Sequence, residues 1–373
     1  MAFPTLYARS KTGKIKEWLV TVEGSTIIVM HGQQGGKMTP QITPITEGKN
    51  IGKSNETTPE QQAKLEAGSK WNHQIDKDYR ERVEDIPTST LPPLAKKYQD
   101  ASAALGEEYD VLCKLNGVRC TLFYNGGDVF FQTRGGKSYP VIQGIVDELY
   151  EKVWRSWPHI AIDCELYCHG MFLEDITSAV KKHNKDTPRI KAYVFDLYNP
   201  TNPDQEWETR YSEYRCLIGD DDSNDRVHAV YAKRVYSEAE MKALHDKFVK
   251  MGYEGVVCRK LGSLFVFGHR TSDFQKYKVP LDKEFKVIRI DVDKNGCAVP
   301  WCYIENVKYP KRTEFKAPLI GTHEYQQEIA RNAENYIGKY LKVVFESYTK
   351  YGIPGKPKGH VFREVDEDGN PTE

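Results

Sequence analysis

A single lysine interrupts the short apolar run VLCKLNGVRC, residues 111–120. Burying an ammonium group is costly unless it is paired, neutralised or put to chemical use. The Asn116-Gly117 dipeptide that follows is a turn signal, which places Lys114 at a strand end. An amine held there between apolar residues and beside other cations sheds its proton more readily and can act as a nucleophile. Downstream lie side chains suited to work with such an amine. Asp163 and Glu165 are two apart on a predicted strand and share one face. Lys276 and Lys278 alternate likewise in QKYK, and two ammonium groups on one face suit anionic oxygens. Arg119 and Arg134 offer guanidinium forks, and Glu254 offers a hard oxygen ligand.

These residues fall in a fixed series of segments: KLNGVR (114–119), TRGG (133–136), DCELYCHG (163–170), AYVFDLY (192–198), EGVVCRK (254–260), FGHRTSDFQKYK (267–278) and KYGIPGKPKGHVFRE (350–364). The series resembles that of the covalent nucleotidyltransferases, the superfamily of polynucleotide ligases and messenger-RNA capping enzymes. Within it the chain is most similar to the small ATP-dependent DNA ligases of bacteriophages, over roughly Leu91 to Asp368.

The resemblance implies a role for each residue. Lys114 would attack the α-phosphorus of ATP, expel pyrophosphate and become lysyl-AMP. Leu112, Arg119, Arg134, Glu165, Phe195, Arg259, Lys276, Lys278 and Arg363 would bind the nucleotide. Phe195 would stack on the adenine, Glu165 would hold the ribose, and Arg363, with Lys356 and Lys358, would orient the leaving pyrophosphate. Arg119 would reach the nucleotide or the 5′-phosphate of a nick. Glu165 and Glu254 would hold Mg²⁺, with Mn²⁺ as a possible substitute. The expected substrate is nicked duplex DNA and the expected state a monomer.

The sequence departs from the family pattern in four places. Asn116 stands where most DNA ligases carry an acid. Arg259 replaces a lysine, with Lys260 beside it; which of the two takes that lysine's role stays open, and strand alternation favours Arg259. Arg363-Glu-Val-Asp366 lacks the lysine that closes the last motif. His31-Gly32-Gln33 replaces the Trp-Gly-Arg of the WGR modules that the N-terminal block resembles. An RNA ligase, a capping-type nucleotidyltransferase and a non-catalytic DNA-end-binding protein remain open at this point.

The elements that must position these residues read as α+β. Residues 5–45 alternate apolar and polar side chains around KTGK, EG and QQGG, the pattern of hairpins. A helix follows with Thr58 as N-cap, Pro59 at its first position and Gln61 completing a capping box. The linker VEDIPTSTLPPLAKKYQD, with Pro87, Pro92 and Pro93, leads into many β-like stretches and the helical segments YPVIQGIVDELYEKVWRSW and SEAEMKALHDKFVKM. After Pro280, some five strands suggest a small β-barrel. The expected organisation is a WGR-like DNA-binding module (1–85), a nucleotidyltransferase domain of ATP-grasp-like antiparallel sheets with helices (86–280), and an OB-fold (281–373). Lysines 37, 49, 53 and 70 could grip phosphates from the first module.

Composition sets the frame. The 53 basic and 53 acidic residues cancel, so any polyanionic partner must be held by local patches. Hydrophobic content of 39% with 23 tyrosines suits a folded chain. No run approaches a membrane span, MAFPTLYARSKTG lacks a signal-peptide core, and eight cysteines fit reduced thiols in a cytoplasm, the host's if the chain is phage-encoded. Cys164, Cys168 and His169 lack a second ligand pair and read as core thiols rather than a zinc site.

Overall fold

The structure, a computed structural model, describes every residue except 11–13, 87–90, 201–203, 220–224, 365 and 367–373. Most of the expected KTGK turn, Pro87 and Val365 of the last motif therefore lie outside the described residues. The chain divides into two compact units, one of Met1–Leu91 with Phe267–His269, the other of Pro92–Val266 with Arg270–Glu373.

In the first unit, β1 (Leu6–Arg9), β2 (Ile15–Glu23), β3 (Thr26–Gln33) and β4 (Met38–Pro44) form an antiparallel sheet in chain order. Alternation puts Trp18, Val20, Val22, Ile27 and Val29 on one face, where α1 (Pro59–Ile75) packs with Ala63 and Ala67. Thr58 caps this helix as the sequence predicts. Its hydroxyl accepts from the Gln61 N–H at 3.2 Å, and the Thr58 N–H donates to the Gln61 side chain at 2.9 Å.

The second unit runs β5 (Leu94–Lys97), β6 (Tyr109–Lys114), β7 (Val118–Asn125), β8 (Asp128–Thr133), β9 (Ser138–Tyr139), α2 (Gln143–Leu149), β10 (Ala161–Tyr167), α3 (Leu173–Lys181), β11 (Lys191–Tyr198), α4 (Trp207–Ile218), β12 (Val227–Ala229), β13 (Ala232–Val235), α5 (Glu238–Lys250), β14 (Gly255–Lys260) and β15 (Arg270–Tyr277). It continues with β16 (Leu281–Val292), β17 (Ala298–Tyr303), β18 (Glu314–Lys316), α6 (His323–Arg331), β19 (Tyr340–Phe345), β20 (Ser347–Tyr348), β21 (Pro354–Gly355) and β22 (Lys358–Arg363).

Two mixed sheets carry the motifs, in the orders β12-β11-β10-β7-β8-β9 and β13-β6-β14-β15-β5. All pairings are antiparallel except β11 with β12 and β15 with β5. Part of the expected linker is thus a strand: Leu94–Lys97 completes the sheet that holds Lys114. The core of the first sheet packs Leu122, Ile162, Cys164, Leu166 and Val194 against Ile145, Leu149, Trp154, Ile176, Val180 and Trp207. The long helix expected from YPVIQGIVDELYEKVWRSW is α2 followed by a π-helical turn at Tyr150–Trp154, whose widened winding seats Trp154 in the core with its indole N–H on the Ile160 carbonyl at 3.0 Å.

The third sheet, β18-β17-β16-β19-β22, is OB-like, with α6 between β18 and β19. A parallel bridge from Leu319 to Gly359 brings the chain after β18 onto β22 and closes the sheet. The approach is close: a Cβ at Gly359 would lie 2.8 Å from a methyl of Leu341 and 2.9 Å from one of Leu319, which would have to turn aside. Among the described residues no helix is long and apolar enough to cross a membrane.

Replacing Thr58 by Ala removes one half of the capping box and should cost α1 about 1 kcal/mol. Amide hydrogen exchange across residues 59–75 reads this directly, and unchanged exchange would show that the box contributes nothing.

Candidate active site

Lys114 ends β6 directly opposite the start of β14, with Gly255 as its register partner. The Glu254 N–H donates to the Lys114 carbonyl at 2.9 Å, so the Glu254 carboxylate falls beside the Lys114 ammonium and pairs with it. The other oxygen of Glu254 accepts from Lys278 at 2.8 Å. Lys278 in turn meets Glu346 at 3.0 Å, and Glu346 meets Lys356 at 2.8 Å. Five side chains of alternating charge thus run in one line along a cleft of about 640 Å³.

The cleft is closed on its other sides by Leu112, Phe195, Val257, Phe274 and the helix residues Leu173, Thr177 and Lys181. Glu165, across the β7–β10 register from Arg119, accepts from the Gly117 N–H at 3.2 Å. Gly117 has no room for a side chain: a Cβ would come 2.5 Å from the Leu166 carbonyl oxygen and 2.8 Å from Glu165 Cγ. The turn after Lys114 is therefore pressed directly onto the strand that bears Glu165.

Buried ion pairs lie behind the cleft wall. Arg119 donates to both oxygens of Asp163, at 2.9 and 2.5 Å, and to the Pro93 carbonyl at 2.6 Å. Asp196, fully buried, accepts from Arg210 at 2.8 Å. Arg259 Nη2 also lies 2.9 Å from Asp196, though without hydrogen-bond alignment. The Arg259 guanidinium rests 3.8 Å from the Phe274 ring centroid and 4.9 Å from that of Trp207.

Residues 92–278 match the family described as ATP dependent DNA ligase domain, which is half of the chain. The chain belongs to this family. As an ATP-dependent DNA ligase it uses ATP and acts on DNA. Among curated relatives, the DNA ligase of African swine fever virus (isolate Warthog/Namibia/Wart80/1980) is 27% identical over 406 aligned residues, covering 97% of this chain and 94% of the viral enzyme. That of the Badajoz 1971 Vero-adapted strain is 26% identical at the same coverage. The solved structure named Pmar-Lig_Pre shares the fold with a TM-score of 0.63 at 17% identity, covering 82% of this chain and 77% of its own. A Lig E DNA ligase structure does so with a TM-score of 0.57 at 19% identity, covering 74% of this chain and all of its own.

The ligase brings most of the expected residues to one cleft. Leu112, Lys114, Arg119, Arg134, Glu165, Phe195, Glu254, Arg259, Lys276 and Lys278 all line it. Arg134 stands exposed on the β8–β9 turn. Alternation sorts Arg259 inward, while the Lys260 side chain is 46% exposed.

Two expectations need correction. Arg119 lines the cleft, but its donors are turned to Asp163 and Pro93 rather than outward as a fork for phosphate. Arg363 does not line the cleft among the described residues; it reaches across β19 to pair with Glu284 of β16 at 3.2 Å. Lys356 and Glu346 reach the cleft from the barrel instead, and Lys358 does not line it.

Sequence reasoning missed Glu346 and the α3 wall. The spacing Leu173, Ile176, Thr177, Val180 is a legible helical face. An acid in KVVFESY carries no such signal until β19 is placed.

Electrostatics separates the two glutamates. Burial pushes the Glu165 carboxyl up to about 7, against the pull of Lys114 and Arg119, with the Glu254 charge adding to the rise. Burial acts on Glu254 as well, but Lys114 and Lys278 outweigh it and hold that carboxyl below its usual range. Burial, then repulsion from Lys114, Arg270 and Lys278, lowers Lys276. Burial lowers Arg259 to about 10, with Asp196 opposing.

Glu165 binds its proton more tightly folded than unfolded, so the stability it contributes is present below its ordinary 4.5 and lost as pH rises through about 7. Without nucleotide, Glu165→Gln should exceed wild type in urea stability above pH 7 by on the order of 2 kcal/mol, with the gap closing near pH 4.5. A gap independent of pH would show that Glu165 is not held protonated by burial.

Proposed function

We propose that this ligase seals nicks in duplex DNA through a lysyl-AMP intermediate on Lys114. The observation that carries the reading is the junction at Glu254, which holds Lys114 and Lys278 side by side in a cleft also lined by Phe195 and Arg259. In the first step the Lys114 Nζ bonds to the α-phosphorus of ATP as the bond to pyrophosphate breaks, and the amine gives up a proton. Lys276 and Lys278 face the phosphate oxygens and offset their charge. Phe195 stacks on the adenine. AMP then passes to the 5′-phosphate at the nick, and the 3′-hydroxyl displaces it.

Glu165 and Glu254 fit a divalent cation: both face the cleft, and the charge of one raises the proton affinity of the other. Among the described residues no group of three or more His, Cys, Asp or Glu side chains is placed to hold a metal, so phosphate oxygens would complete the shell, as suits Mg²⁺. When bound, it would neutralise charge on those oxygens. Mn²⁺ could take its place.

Three parts would share the work: a DNA-binding module (1–85), the nucleotidyltransferase domain (86–280) and the OB-fold (281–373). The WGR-like character of the first part rests on His31-Gly32-Gln33 and on its lysines. One chain lines the whole cleft, in keeping with a monomer. Eight free cysteines suit a reducing cytoplasm.

Intact-mass measurement after mixing with ATP and Mg²⁺ should show one added AMP, mapped to the peptide bearing Lys114 and absent in Lys114→Ala. Label persisting in that variant would move the nucleophile elsewhere, and sealing of nicked RNA in preference to DNA would favour the RNA-ligase reading. Deleting residues 1–85 should weaken nick binding at higher salt while leaving self-adenylation intact. Loss of adenylation would make the first part a piece of the catalytic fold.

A further inference from the structure

A carboxylate has no evident place among lysines that would bind a triphosphate, yet Glu346 takes two of them. It accepts from Lys278 at 3.0 Å and from Lys356 at 2.8 Å, and lines the cleft with both. Its location is set by the barrel: Phe345, the last residue of β19, is 2% exposed and packs in the barrel core, and Glu346 follows at once. Lys356 presents its ammonium from a left-handed backbone at φ 53°, a conformation that costs a non-glycine residue free energy and that clusters at working sites. A second tie, Lys350 to Asp175 of α3 at 2.5 Å, joins the same barrel segment to the cleft wall. Lys276, by contrast, stands in the same cleft and forms no ion pair among the described residues.

We propose that Glu346 is a competitive latch: its carboxylate occupies the two lysines that the distal phosphates of ATP would take, and nucleotide must displace it to bind. This rests on the cleft being the ATP site. Glu346 is a positioning residue, since it touches no substrate; it sets how tightly Lys278 and Lys356 receive one. Phosphate oxygens arriving at Lys278 repel the carboxylate, which leaves the barrel held to the cleft wall through Lys350 and Asp175. Nucleotide occupancy and barrel placement are then linked, and the linkage is reciprocal. Departure of pyrophosphate returns both lysines to Glu346.

The test is self-adenylation kinetics of the full chain, with Glu346→Gln and, as a control, Lys350→Ala, which breaks the other tie and leaves the charges on Lys278 and Lys356 untouched. Glu346→Gln should lower the KM for ATP roughly five-fold, about the strength of one partly exposed ion pair, with kcat within about two-fold of wild type. Calorimetry with inorganic tripolyphosphate, which has no base or ribose, should show the same tightening.

An unchanged or raised KM overturns the latch, as does an equal fall in Lys350→Ala, which would trace the effect to barrel loosening. A higher Mg²⁺ requirement in Glu346→Gln would overturn it by making Glu346 a metal ligand. Should the glutamine variant not fold, Glu346→Asp keeps the charge but shortens the reach, and its KM must fall between wild type and the five-fold limit. If wild type neither binds ATP nor takes label, the proposed function itself fails, an outcome distinct from any of these.

Discussion

Glu254 places one negative charge between two ammonium groups, and the geometry of the cleft follows from that placement. Its own position is dictated by the backbone, because its N–H is bonded to the carbonyl of Lys114 where β14 meets β6. A carboxylate so enclosed stays ionised despite its burial, since Lys114 and Lys278 each offset part of the desolvation cost. Moving either lysine would leave Glu254 with only one of its two compensating cations. The three side chains therefore form one unit, poised to be rearranged when phosphates bring further negative charge.

A second set of charges acts from beneath. Asp163 with Arg119, and Asp196 with Arg210 and Arg259, are buried pairs whose contribution to stability is small or negative compared with apolar packing. Their value lies in fixed direction. Arg259 cannot swing away from the floor, because Phe274 and Trp207 stack against its planar head while Asp196 balances its charge. Arg119 likewise acts as a strut between β7, β10 and the segment before β5.

Much of this was legible in the residues. Lys114 stands out because apolar neighbours and a turn dipeptide make an unpaired lysine improbable there. Period-two alternation is visible in the inward Arg259 and outward Lys260, and the capping box at Thr58 is a local signal that needs no tertiary context. The misreadings all concern partners distant in sequence. Nothing local says that Arg119 will be claimed by Asp163 across β7 and β10, or Arg363 by Glu284. Glu346 becomes meaningful only once the barrel strand that carries it lies against the cleft. The strand Leu94–Lys97 read as linker because its prolines are punctuation, whereas its parallel pairing with β15 is settled by residues far downstream.

That parallel pairing has a bearing on how the enzyme is made. Leu94 pairs with Arg270, and Lys114 pairs with Gly255, so in this sheet only β14 and β15 pair as consecutive strands, and the strand that bears the nucleophile must wait for partners far downstream. During synthesis the reactive lysine must remain without its neighbours until the ribosome has released the chain well beyond Tyr277. Its half-made sheet would meanwhile expose unpaired edges, the kind of nascent segment that chaperones hold.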